Sequence, residues 1–371
     1  MQDEAEDGRP ATPRFAALEP RHMPRDFSIS LDADRRGGER PRQTLPGFDP
    51  EWRDVIDYVV RITHRIWEEK DIGLIYDTYS HDCRVWDDLG LQYGREKIVA
   101  DTVHTCNAFP DIRLVADEIV WAGDAGTRFR TSHRTMIQGT NTGFSRFGAP
   151  TGRRARLLCV ANCVSRDNMI YEEHVAYDTA QMVRALGLDL ADCARRMAAE
   201  GAREGLPADF MAAEPSRLPG QGAPARRPAP DRIGEDPEAF VRAALHQMWN
   251  RRDLSALQRI YAPDVVFEGS TGRVFRGPGQ IRAWMLSLLA MFPDLALSVD
   301  DLYWMGNPEE GFLIAIRWSA LGAHRGVGPY GPPTGREAHL WGITQWVARE
   351  DRVVREWTVF NEFGALMQLL G

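Results

Sequence analysis

Phe109-Pro110-Asp111 returns as Phe292-Pro293-Asp294, and Pro150-Thr151-Gly152-Arg153 returns as Pro333-Thr334-Gly335-Arg336, each 183 positions later. Trp121 and Trp304 keep the same separation, and Arg166 to His174 lies without a gap over Arg349 to Trp357. A period this long marks a duplicated globular unit, because solenoid units run about 20 to 50 residues. A chain of 371 residues with 43% hydrophobic content can fill two separate cores. In the same register Asp178 stands opposite Asn361, so one copy keeps a carboxylate where the other has an amide.

Composition narrows the function classes. With 45 Lys+Arg against 53 Asp+Glu the net charge is −8, and the basic residues are scattered, which argues against nucleic acid as a partner. No apolar run approaches the roughly 18 residues that span a bilayer, and the N-terminus lacks an apolar secretory core, so no membrane partner and a cytoplasmic location are expected. The five cysteines, Cys83, Cys106, Cys159, Cys163 and Cys193, all lie in the first copy without a C-x-x-C pair and read as reduced core thiols.

Residues 1–48 read as a disordered or surface-laid arm in which Phe27 to Leu31 could add an edge strand. Residues 49–190 and 236–371 are the two units, and 191–235 form a helical extension and a Pro/Gly/Ala/Arg linker. Each unit runs helices first, strands last. Val55, Val59, Ile62 and Ile66, like Phe240, Ala244 and Met248, recur at helical spacing. Asp71 and Asp253 are expected to cap a short second helix. A first strand follows, then a third helix stopped by Phe-Pro-Asp, then four strands and a tail helix. Helices followed by antiparallel strands mean α+β.

Gly322-Ala323-His324-Arg325-Gly326, the Pro-rich run ending at Arg336, the strand Val353 to Trp357 and the tail Leu366 to Leu369 resemble the SnoaL-like polyketide cyclase family of the nuclear transport factor two-like superfamily. The first copy looks like a diverged member, with Ala149 to Arg153 and Glu173-His174. The resemblance implies two cone-shaped domains, each a curved antiparallel sheet wrapped around its N-terminal helices (cystatin-like), with a pocket between them and no cofactor. It also implies a last-strand Asp that removes a proton α to a carbonyl and promotes an aldol-type ring closure. That Asp maps to Asp178; Asn361 cannot exchange a proton usefully near neutral pH. Family members dimerise through the sheet, so a tandem chain is expected to form an intrachain pseudo-dimer, with a homodimer left open.

Strand alternation puts His174, Ala176 and Asp178 on one face, a workable acid/base pair if that face is the pocket. Otherwise His174 fills the place of Trp357 and Asp178 caps the tail helix. Only one of His133 and Arg134 can face inward: His133 would polarise a carbonyl, Arg134 would hold an enolate or carboxylate. His104 on the third helix is a further candidate. Asp87 and Asp88 close the first strand, with a turn role expected because neighbours on a strand face opposite ways. Trp86, Tyr76, Tyr79 and Phe129 are candidates for the lining, and in the second copy His339, Trp341, Trp357, Trp304 and Trp318 are expected around an apolar cavity. Glu173 and Glu356 are expected to pair with Arg. No metal site is expected, since Cys159 and Cys163 stand about 13 Å apart on one strand.

The leading reading is a cofactor-independent acid/base enzyme with its active pocket in the first domain, acting on a hydrophobic carbonyl compound by ring closure or isomerisation. A non-catalytic ligand-binding or scaffold protein is the alternative, and a hydrolase or dehydratase using the same pocket is another.

Overall fold

The computed structural model describes residues 42–203 and 230–371. The expected edge strand at Phe27 to Leu31 and most of the linker lie outside the described residues.

Each half opens on an amphipathic helix whose start is set by an aspartate. Asp54 accepts the Asp57 N–H at 2.8 Å ahead of α1 (Val55–Trp67), which buries Val55, Val59, Ile62 and Ile66. Asp236 accepts the Ala239 N–H at 2.9 Å ahead of a helix with Pro237 in its first turn (Pro237–Leu245), which continues into a π-turn at His246–Asn250. Asp71 and Asp253 do not cap. Arg65 takes the Asp71 carboxylate at 2.6 Å and the Ser255 hydroxyl takes that of Asp253 at 2.5 Å, leaving 3₁₀ turns at Ile72–Leu74 and Leu254–Ala256.

The first sheet has strands β1 (Tyr79–Asp87), β2 (Gly90–Tyr93), β3 (Arg113–Asp124), β4 (Arg128–Thr140), β5 (Arg154–Arg166) and β6 (Met169–Tyr177) in the order β2-β1-β6-β5-β4-β3. The second repeats it as β7 (Tyr261–Gly269), β8 (Arg273–Arg276), β9 (Ala296–Asn307), β10 (Gly311–Ala323), β11 (Glu337–Arg349) and β12 (Arg352–Phe360), in the order β8-β7-β12-β11-β10-β9. The sheets are mixed rather than wholly antiparallel, because β1 pairs parallel with β6 and β7 parallel with β12. A parallel pair needs a long crossover, and the whole of each domain separates these strands. The four-residue strands β2 and β8 escape sequence reading; each folds back on its predecessor through a tight turn.

A helix lies over the inner face of each sheet, Arg95–Ala108 in the first domain and Gly277–Met291 in the second. The outer faces meet. Val160 and Ala176 pack with Trp341, Ile343 and Val359 in one buried cluster. Arg134 crosses this contact, its guanidinium 3.5 Å from the Trp357 ring centroid and donating to Gln345 Oε1 at 2.5 Å. Arg130 pairs with Asp301. All five cysteines are free and buried. Among the described residues no helix is long and apolar enough to cross a membrane.

Candidate functional site

The first domain encloses a cavity of about 680 Å³ between the inner face of its sheet and the helix Arg95–Ala108. That volume suits a small organic molecule. The second domain keeps only about 30 Å³ at the equivalent place. Three substitutions explain the difference. Phe267 pairs with Phe275 across the β7–β8 hairpin where Val85 pairs with Gln92 in the first domain, and Trp284 stands at the helix position of Asp101. Phe267 and Trp284 lie 5.0 Å apart between ring centroids and Trp249 and Trp284 lie 5.8 Å apart, so aromatic rings fill the space.

Four carboxylates stand in the wall of the open cavity, Asp87, Asp88, Asp101 and Glu173, and the first two are adjacent. Asp87 ends β1, and its Oδ1 accepts the Leu89 N–H at 2.8 Å, so the expected turn role is present. Asp88 lies in the turn itself, which frees it from strand alternation and lets both side chains reach the cavity. Gly90, with φ of 124°, lets the chain return as β2. Asp88 is 2% exposed and its Oδ2 has no hydrogen-bond partner. Burial, then the charge of Asp87, push its carboxyl up to about 7, against the opposing pull of Thr179 and Arg146. Burial also raises Asp87, with Arg146 and the Leu89 N–H opposing. A carboxyl poised near neutrality, in a cavity wall and with one oxygen unpaired, can give or take a proton. The second domain has Gly269 and Ser270 here. His104 is exposed and lines the mouth of the cavity.

From β6 the residues facing this cavity are Glu173, Val175 and Tyr177. Glu173 does not pair with an arginine: it accepts from the Tyr79 hydroxyl at 3.0 Å and from Cys163 Sγ at 3.6 Å. Glu356 likewise accepts from the Tyr261 hydroxyl at 2.6 Å. Burial raises both carboxyls. Because the pair persists in the filled domain, it belongs to the shared fold.

The other face of β6 meets the second domain, so Asp178 and His174 do not reach the cavity. Asp178 caps the tail helix Thr179–Ala185, accepting the Gln181 N–H at 3.2 Å, and also accepts the Thr271 N–H at 2.8 and 2.7 Å and the Gly272 N–H at 3.4 Å from the β7–β8 turn. Burial pushes its carboxyl up to about 6 while these donors hold it down. His174 stacks on Trp86 at 4.5 Å and meets the edge of Trp341 at 6.1 Å. Trp86 therefore belongs to the domain contact, as do Arg134 and Trp357. Asn361 accepts the Trp341 N–H at 2.9 Å and donates to the His339 carbonyl at 3.1 Å, a backbone bridge. His339, Trp341, Trp357 and Trp304 are absent from the lining of the second cavity, to which only Trp318 of the expected group contributes. Tyr76 is a surface residue donating to Glu96 at 2.8 Å, and Phe129 packs in the core against Phe48 and Trp121. His133 faces inward and Arg134 outward. Of the expected residues, Asp87, Asp88, His104 and Tyr79 are the ones brought together around the cavity.

Sequence reasoning missed Asp101, Lys97, Arg146 and Thr179 in the wall. Comparing the copies helix position by helix position would have flagged Asp101 against Trp284. Among the described residues no group of three or more His, Cys, Asp or Glu side chains is placed to hold a metal.

Residues 239–369 match the family model described as SnoaL-like polyketide cyclase. No curated protein matches the chain. Among solved structures, IdmH of Streptomyces antibioticus, a candidate polyketide cyclase, is 27% identical, with 36% of this chain and 98% of that one covered at a TM-score of 0.32. AclR of Streptomyces galilaeus, a candidate hydroxylase, is 24% identical, with 37% and 82% covered at 0.31. A candidate polyketide cyclase from Acidithiobacillus ferrooxidans is 19% identical, with 35% and 90% covered at 0.30.

Proposed function

From the premise that residues 239–369 belong to the SnoaL-like polyketide cyclase family, we propose that the first domain carries a cyclase- or isomerase-type activity on a small hydrophobic carbonyl compound, with Asp88 as the acid/base. The observation that carries this is the unpartnered, buried Asp88 oxygen on a cavity of about 680 Å³, its carboxyl raised to about 7. Asp88 takes the proton from the carbon α to the carbonyl. Asp87, one residue away, keeps the Asp88 pKa high by its charge, so Asp88 holds the proton long enough to return it to another atom of the same ligand. Such chemistry needs only a proton carrier and a cavity that holds the carbon chain folded.

The second domain is proposed to be non-catalytic. Its cavity is filled by Phe267 and Trp284, and its turn lacks both aspartates. Its role is to cover the outer face of the first sheet.

The test is solvent deuterium exchange. The full chain, incubated in D₂O with a panel of 1,3-diketones and aryl methyl ketones, is expected to exchange the protons α to the carbonyl in at least one of them. Asp88→Asn should lower that rate by about 10²- to 10⁴-fold. Exchange unchanged in Asp88→Asn would reject the assignment.

A further inference from the structure

Beside the cavity lies a second, inner chamber of about 60 Å³, which shares Tyr79, Glu173 and Tyr177 with the outer wall. Beside apolar groups such as Val59, Ile62 and Ile170, its own lining carries polar side chains: Thr131, His133 and Thr135 from β4, and Cys163 and Ser165 from β5. His133 is 4% exposed and Ser165 1%, and neither His133 Nε2 nor Ser165 Oγ has a hydrogen-bond partner. Thr131 Oγ1 is unpaired as well, and since a buried polar atom left unpaired costs about 1–3 kcal/mol, three in one small space call for a missing partner.

The duplicated domain serves as an internal control. At the same strand positions it carries Ile314, Ile316, Trp318, Trp346 and Ala348, in the same β10–β11 register. The fold is thus satisfied by an apolar, filled solution. Nothing in the architecture requires His133 or Ser165.

No arginine or lysine lines the chamber, and burial disfavours charge on the titratable groups that do. Burial, with help from the Arg134 charge, brings His133 down to about 4, so its ring is neutral at pH 7. Burial favours the protonated form of Glu173. An ion would lose its hydration here without a counter-charge, whereas a neutral oxygen can both donate and accept. The volume is ample for water, which needs roughly 10–15 Å³.

We propose that this chamber is a binding site for a neutral hydroxylic or carbonyl oxygen, held by His133 and Ser165: water when the outer cavity is empty, and the oxygen-bearing end of the ligand when it is filled. The inference rests on the reading of the outer cavity as a ligand site and adds to it which end of the ligand goes deepest. His133 and Ser165 then orient the carbon chain, and the proton transfer takes place in the outer cavity.

The probes are 2-naphthol and naphthalene, equal in shape and differing by one hydroxyl, with binding to the full chain followed by NMR at neutral pH. The wild type is expected to bind 2-naphthol roughly two- to tenfold more tightly, the worth of one net hydrogen bond. The double variant His133→Ile/Ser165→Ala, which copies the second domain at these two positions, should bind both equally. Ser165→Ala alone should retain part of the preference and guards against misfolding of the double variant. A high-resolution crystal structure of the ligand-free protein should show water on His133 Nε2 and Ser165 Oγ. Equal binding or no binding by the wild type, a preference that survives the double variant, or a dry chamber would each overturn the proposal. None of these readouts needs turnover, so they stand even if Asp88 is not the acid/base.

Discussion

The guanidinium of Arg134 lies 3.5 Å from the centre of the Trp357 ring, and this contact joins the two domains. Arg134 also donates to Asp117 at 2.7 Å and to Gln345 at 2.5 Å, and Gln345 in turn donates to the Ser132 carbonyl and hydroxyl at 2.9 Å. A flat, forked cation is needed to stack and bond at once. Arg134→Lys should therefore cost about 1–3 kcal/mol in urea denaturation despite keeping the charge. A loss as small as that of an exposed surface Arg→Lys change would show that the contact contributes little.

Asp178 binds the second domain through the left-handed turn at Thr271 and Gly272, both with φ of 64°. Asp178→Asn is expected to leave exchange activity nearly intact. Its effect should appear in stability: the folded carboxyl sits at about 6, above its unfolded value, so stability falls as pH rises from about 4 to 6. The variant should lose that slope, read as urea midpoints across this range. Abolished activity with unchanged midpoints would restore Asp178 as the acid.

The repeat and the element order were legible in the sequence from its spacing, whereas the caps were not: Asp54 and Asp236 cap, and the expected Asp71 and Asp253 do not. The orientation of β6 was not. Alternation groups His174, Ala176 and Asp178 on one face but does not say which face is the pocket, and here both faces are buried. Ala176 packs on the second sheet, so an apolar signal is present on the outer side as well. Asp88 was expected in a turn role rather than as the acid for a related reason: it sits one residue past the strand, in a turn, where alternation no longer applies.

Cavity filling can be exchanged between domains. Asp101→Trp should fill the first cavity as Trp284 fills the second and abolish naphthalene binding while the chain stays folded. Trp284→Ala should destabilise by less than the roughly 3–5 kcal/mol of a fully buried Trp, because Trp284 is half-buried, without changing exchange activity in the first domain. Retained ligand binding in Asp101→Trp would mean that the open volume lies elsewhere.

The acid/base group is also expected to carry a stability cost. Asp88 is protonated in both folded and unfolded chains below about pH 4, whereas above about 7 the folded form must hold a buried charge. Asp88→Asn should therefore match the wild type at pH 4 and exceed it at pH 8, by on the order of 4 kcal/mol. Destabilisation at pH 8 would argue that the ionised carboxylate makes favourable contacts in the fold.

The most direct measurement is the pH dependence of α-proton exchange by the wild type and by Asp88→Asn, with the best-exchanged ketone from the panel. If Asp88 is the base, the wild-type rate should rise with pH along a limb with an apparent pKa near 7, where burial and Asp87 hold the carboxyl. Asp88→Asn should lose both the rate and the limb. A limb that survives in Asp88→Asn would contradict the account and assign the proton chemistry to another group.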